Sequence, residues 1–197
     1  MPRVSEATKS DHRARLLAAA TTEFATKGLD GARVDDISLA AGLAKGTVYN
    51  YFDSKDHIFD EVVRLWLEGV IARRTPTPSD APVRDQLLSI VEAEVTVTAE
   101  MDGFARSAFR ELLRPADQRP SFLPDPDPID DAILAAVRHG QQHGELRTDR
   151  SAEELARMFA TLVSGLLIEH WIPGSAIELD DIAELAVDYY LQGAAVR

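Results

Sequence analysis

Cysteine is absent from the 197 residues. That excludes a disulfide framework, a thiolate metal site and a cysteine nucleophile. Lysine is scarce too, and all four (Lys9, Lys27, Lys45 and Lys55) precede residue 56. No apolar run approaches the roughly 20 residues that span a bilayer. The opening stretch, MPRVSEATKSDHRAR, lacks the apolar segment of a signal peptide. A cytoplasmic protein with no membrane partner is therefore expected. No glycine-rich phosphate loop or nucleophile elbow is present, so neither an enzyme nor a bound cofactor is expected.

Hydrophobic residues make up 45% of the chain, enough for a buried core. The net charge of −12 is unevenly spread. Residues 1–57 hold eight basic and eight acidic side chains, so the whole deficit falls on residues 58–197. A nucleic-acid partner would have to meet the neutral part, because the acidic remainder repels phosphate. Proline divides the chain similarly. There is none between Pro2 and Pro76; Thr75–Pro82 then reads as a stiff linker, and Arg114–Asp131, with five prolines, as a long loop.

Between these breaks the apolar spacing is helical. Leu16, Ala20 and Phe24 follow a suitable N-cap, Ser10 or Asp11, and Gly28 stands where a C-cap glycine belongs. Ile58, Val62, Leu65, Trp66 and Ile71 share one face of a helix that starts near Ser54. Later stripes run through Ile129 to Gly140, Leu155 to Leu166 and Ile182 to Gly193. Val91–Thr98 alternates with period two and is rich in β-branched residues, which locally suits a strand. A lone strand would have no partner for its backbone groups, so a helix is expected there as well. The predicted fold is all-α, with about nine helices.

The most informative stretch is Gly31–Phe52. Val34, Ile37 and Ala41 line one side of a short helix, Gly42 supplies a left-handed turn, and a second short helix runs from Ala44 or Lys45 to Tyr51. Val48 and Phe52 face inward along it. Two short helices joined by a glycine turn form a helix-turn-helix, whose second helix enters the major groove of DNA. Gly46 and Thr47 permit close backbone approach, and Lys45, Thr47, Tyr49, Asn50 and Tyr51 offer polar contacts. Lys55 can meet a phosphate beside the N-terminus of the next helix. His139 and His143, at i and i+4, could hold a metal, but the flanking glycines and the lack of a nearby carboxylate other than Glu145 argue against one.

The run Ala-Gly-Leu-Ala-Lys-Gly-Thr-Val-Tyr-Asn-Tyr-Phe-Asp-Ser-Lys resembles the DNA-binding signature of the TetR (tetracycline-repressor) family of bacterial transcriptional regulators. The likeness is close over residues 11 to 60. It implies a homeodomain-like three-helix DNA-binding domain over residues 1–55 and a helical effector-binding and dimerisation domain over 56–197. It also implies a repressor, released from a palindromic double-stranded operator when a small-molecule effector binds. Two positions depart from the family pattern. Arg33 stands where a capping Ser or Thr is common, and Ala44 where Ser is common. Each loses a cap worth about 1 kcal/mol. Arg33 can substitute a charged contact to phosphate; Ala44 cannot.

In the C-terminal part, Glu94 falls on the apolar face marked by Leu87, Ile90, Val91, Thr98 and Met101. A buried carboxylate needs a partner, either an internal arginine such as Arg106 or Arg110 or a ligand in a pocket. Trp66, Met101, Phe104, Phe109, Phe122 and Met158 could wall such a pocket or simply pack the core. His170 has the same two readings. Small residues on the last two helices permit close helix packing. By the resemblance, Leu162, Gly165, Leu166, Ile182, Ala183, Ala186 and Tyr190 form a homodimer interface that sets two recognition helices about 34–36 Å apart.

Overall fold

The structure, a computed structural model, describes residues 6–78, 80–115 and 130–195. Its α-helices are α1 (Glu6–Gly31), α2 (Val34–Ala40), α3 (Lys55–Arg73), α4 (Val83–Glu100), α5 (Asp102–Leu112), α6 (Asp131–Gln142), α7 (Ala152–His170) and α8 (Ile182–Ala194). Short 3-10 turns occupy Thr47–Asn50 and Leu179–Asp181. Among the described residues there is no strand, only one isolated bridge between Leu146 and Ala195. The expected count of about nine included the second helix of the motif, which is a 3-10 turn instead. No helix of the described residues is long and apolar enough to cross a membrane.

Local signals account for several of the helix ends. α1 kinks at Gly28, after burying Leu16, Leu17, Ala20 and Phe24. The Ser54 hydroxyl accepts the His57 amide at 3.0 Å where α3 begins. The Asp130 carboxylate accepts the Ala132 amide at 2.8 Å at the start of α6. α7 opens with a reciprocal capping box, Ser151 taking the Glu154 amide at 3.1 Å and Glu154 the Ser151 amide at 3.0 Å. Val91–Thr98 lies inside α4. Val91, Ala93, Val95, Val97 and Thr98 are all buried there, so the β-branched alternation reflects a helix enclosed on most of its circumference.

Packing divides the chain into two compact units. The first holds α1, α2, the Thr47–Asn50 turn, α3 as far as Glu68, and α5. Its centre is an aromatic row: Phe24 meets Phe59 edge-on at 5.0 Å between ring centroids, and Phe59 meets Phe104 at 5.2 Å. The second unit holds the end of α3 from Gly69, then α4, α6, α7 and α8. Leu87, Val91, Val137, Phe159, Val163, Ile182 and Ala186 fill it, and Phe159 packs on Tyr190 at 4.9 Å. The boundary expected at residue 55 separated functions; by packing, most of α3 and all of α5 join the N-terminal helices.

Phe59 touches both other members of the row and is fully buried. Phe59→Ala is expected to cost about 3–5 kcal/mol in urea unfolding of the first unit.

Candidate nucleic-acid interface

The turn after α2 is set by two glycines. Gly42 adopts φ 69° and Gly46 φ 78°, both in the left-handed region that an L side chain enters only with strain. Gly42 lets the Gly42 and Leu43 amides reach back to the Leu39 and Ser38 carbonyls, each at 2.9 Å. Gly46 breaks any helix running on from Lys45, so the next turn closes by i→i+3 bonds: Tyr49 amide to Gly46 carbonyl, 3.1 Å, and Tyr51 amide to Val48 carbonyl, 2.9 Å. Val48 is 0% exposed and Phe52 2%, whereas Tyr49 is 58% exposed. Lys45 and Asn50 are exposed beside it; Thr47, Gly46 and Tyr51 are half-buried.

α1 fixes this turn in place through residues the sequence reading did not single out. The Arg15 guanidinium donates to the Ala41 carbonyl at 2.5 Å, just ahead of Gly42. His12 Nδ1 lies 3.0 Å from the Tyr51 hydroxyl. Arg13 stacks its guanidinium 5.6 Å from the Phe52 ring centroid and pairs with the buried Glu61. Glu61 also meets Arg64 at 3.2 Å and His57 at 3.7 Å, so its carboxylate is well compensated. The available signal was the placement of His12, Arg13 and Arg15 within about one turn of buried Leu16.

The other expected contact residues sit as follows. Lys55 donates to the Asp30 and Ala32 carbonyls at 3.1 and 3.2 Å, closing the connection between α1 and α2. Arg33 is exposed ahead of α2 and makes no side-chain cap; its amide donates to Glu23 at 3.3 Å. Lys45 has only a loose neighbour, Asp35 at 3.8 Å.

Comparison with known proteins bears on this motif. The sequence profile of bacterial regulatory proteins of the tetR family matches residues 16–62. The HTH-type transcriptional regulator YdgC of Bacillus subtilis is 42% identical over 166 residues, 80% of this chain and 82% of that protein. The chain belongs to the tetR family. The HTH-type transcriptional repressor KstR2 of Rhodococcus jostii is 29% identical over 194 residues, 95% of this chain and 93% of its own. Among solved structures, a Saccharomonospora viridis regulator in complex with choline matches with a TM-score of 0.71 at 23% identity, covering 95% of this chain and 100% of that one. This tetR-family chain is thus a DNA-binding transcriptional regulator and not an enzyme.

The residues expected around an effector divide between the two units of the tetR-family fold. In the first, Phe104 packs on Phe59, Trp66 meets Phe109 at 5.9 Å with its indole N–H buried and unpaired, and Met101 is half-buried ahead of α5. In the second are Glu94, Met158 and His170. Met158 is 64% exposed on α7 rather than turned inward, and His170 Nδ1 is 3.0 Å from the Ile177 carbonyl in the loop before α8. Phe122 lies outside the described residues. Arg106 and Arg110, the partners expected for Glu94, are exposed on α5 in the first unit.

Glu94 is half-buried on α4 and makes no hydrogen bond or ion pair among the described residues. Its carboxyl is pushed up to about 7, first by loss of solvent and then by the negative Asp130, against a smaller opposing pull from Arg74. Arg74 and Asp130 are paired with each other, and the Arg74 Nε is buried without a partner.

The expected dimer residues also separate. Ile182, Ala183, Ala186 and Tyr190 are buried within their own chain, because α8 turns that face onto the second unit's core. Leu162 and Leu166 are half-buried and Gly165 is exposed. His139 and His143 stack at 4.0 Å between centroids, and among the described residues no group of three or more potential metal ligands forms.

A carboxylate raised to about 7 is neutral at no cost below the ordinary carboxylate range and must be buried charged above pH 7. Its contribution to stability is therefore lost as the pH rises through about 7, on the order of 3 kcal/mol in full. Glu94→Gln is expected to raise the urea midpoint at pH 8 and to flatten the change between pH 5 and pH 8.

Proposed function

We propose that the chain represses transcription as a homodimer on a palindromic operator and is released when a small molecule binds the helices that follow the DNA-binding domain. The observation that carries the DNA side is the burial of Val48 and Phe52, which turns Lys45, Thr47, Tyr49 and Asn50 outward behind two left-handed glycines. Gly46, Tyr51, Arg33 and Lys55 border that surface. A segment of this shape suits a major groove, with most contacts made by uncharged polar groups, so a strongly basic domain is not needed. Functionally, residues 1–55 read DNA and residues 56–197 carry effector binding and dimerisation.

The dimer reading rests on the outer face of α7 and α8. Met158 and Tyr189 are 64% and 60% exposed there. A cleft of about 550 Å³ is lined by Leu155, Met158, Leu162, Tyr189 and Tyr190 with Arg147, Arg150 and Glu154, and an adjoining one of about 520 Å³ by Met158, Leu162, Gly165 and Leu166 with Arg157 and Thr161. Apolar area of this kind is characteristic of a surface that another protein covers, and a two-fold pair buries the same patch on both copies. The effector reading rests on Glu94, whose carboxyl has no partner among the described residues and would gain one from a ligand. Repression follows the named relative from Rhodococcus jostii.

Lys45→Ala combined with Tyr49→Ala is expected to weaken binding to a selected operator duplex at least about tenfold in a gel-shift titration, with the far-UV circular dichroism unchanged. Unaltered shifts would remove these residues from the interface. Met158→Asp with Tyr189→Asp is expected to convert a dimer into a monomer in sedimentation velocity; a persistent dimer would place the contact elsewhere.

A further inference from the structure

His12 and Tyr51 form a pair that DNA recognition by the outward turn does not by itself require. Their atoms Nδ1 and Oη are 3.0 Å apart, with the rings edge to face at 6.2 Å and 69°. The two residues are 39 positions apart and both are half-buried, and Tyr51 directly follows the exposed Tyr49 and Asn50. A phenol has one proton and two lone pairs. If Tyr51 donates its proton to His12, it has only lone pairs left to offer, and these repel a phosphate oxygen. If His12 donates to Tyr51, the phenol proton is free to bond the phosphate.

We propose that His12 is a positioning residue for operator binding: it donates its Nδ1–H to the Tyr51 oxygen, frees the phenol proton for a DNA phosphate, and takes up a proton as the complex forms. The proposal rests on the DNA-binding reading above. The imidazolium is the form that secures this donor direction and also adds a positive charge beside the DNA backbone, which favours it electrostatically. Imidazole is the side chain suited to such a change, since its ordinary titration lies near about pH 6.5.

The charged groups around the pair are already engaged. On α1, Lys9 is hydrogen-bonded to Glu6 at 2.9 Å. Asp11 is 3.5 Å from Arg15, Arg15 bonds the Ala41 carbonyl, and Arg13 is paired with Glu61. Beyond the 3-10 turn, Asp53 faces His57 at 3.6 Å, and on α3 His57 also faces Glu61 at 3.7 Å. His57 is thus a second imidazole in the first unit, and the experiment has to separate the two.

The test uses the intact protein and a duplex that it selects from a randomised library, with affinity read by fluorescence anisotropy at fixed ionic strength and two pH values. From about pH 8 to about pH 6 the wild type should tighten about fivefold per half-site, the size expected when one imidazole takes up a proton on binding. His12→Asn keeps an amide donor close to the Nδ1 position without a titrating group, so it should bind with a flat profile. Tyr51→Phe keeps the ring, and hence the packing. It should bind more weakly, with a shallower profile that adding His12→Asn flattens completely. A His12→Asn variant that titrates as steeply as the wild type would overturn the proposal and transfer the proton to His57. So would a Tyr51→Phe variant with the wild-type profile. If no sequence is enriched from the library, the DNA-binding reading itself fails, and this inference falls with it.

Discussion

The burial of Val48 and Phe52 is the constraint on which the DNA-facing surface depends. Each contributes about 1.5–3 kcal/mol when fully withdrawn from water, and together they fix the rotation of the segment between Gly46 and Asp53. With these two side chains inside, Tyr49 and Asn50 have no course but outward. The two left-handed glycines set where the segment begins, and the buried pair sets which way it faces. The surface is a consequence of packing beneath it.

The supports of that segment come from α1 and α3, which converts a short turn into a rigid feature. Arg15 holds the carbonyl at the end of α2, His12 holds Tyr51, and Arg13 bridges Phe52 and Glu61. Lys55 ties down the Asp30 and Ala32 carbonyls between α1 and α2. Charged groups thus serve the architecture as much as the surface, and the ammonium of Lys55 is committed to backbone before any phosphate arrives. Glu94 is the contrasting case in the second unit, a carboxyl without a hydrogen bond among the described residues, its charge acted on by the completed Arg74–Asp130 pair.

The helical class, the break at Gly28, the start near Ser54, and the inward pair Val48 and Phe52 were legible in the chain because each depends on local spacing and local turn chemistry. The 3-10 geometry of Thr47–Asn50 was not, since apolar spacing over four residues does not distinguish a 3-10 from an α turn; the left-handed Gly46 decides it. Arg74 as the cation nearest in effect to Glu94, and the inward rotation of Ile182, Ala183, Ala186 and Tyr190, depend on which helices meet in three dimensions. An apolar stripe shows that one face of α8 is covered, but its own chain and a second copy look alike at that level. The supporting roles of His12, Arg13 and Arg15 were hidden for the same reason: polar residues on an amphipathic helix resemble a solvated face until the partner across the turn is known.

The central claim is that the segment following Gly42 lies against a duplex. Hydrogen–deuterium exchange of the intact protein, with and without an operator duplex, tests it most directly. The account predicts that slowing of exchange concentrates in peptides covering residues 43–52 and the start of α1, while peptides from α7 and α8 keep their rates. Slowing confined to α4, α7 or α8, with residues 43–52 unchanged, would contradict it.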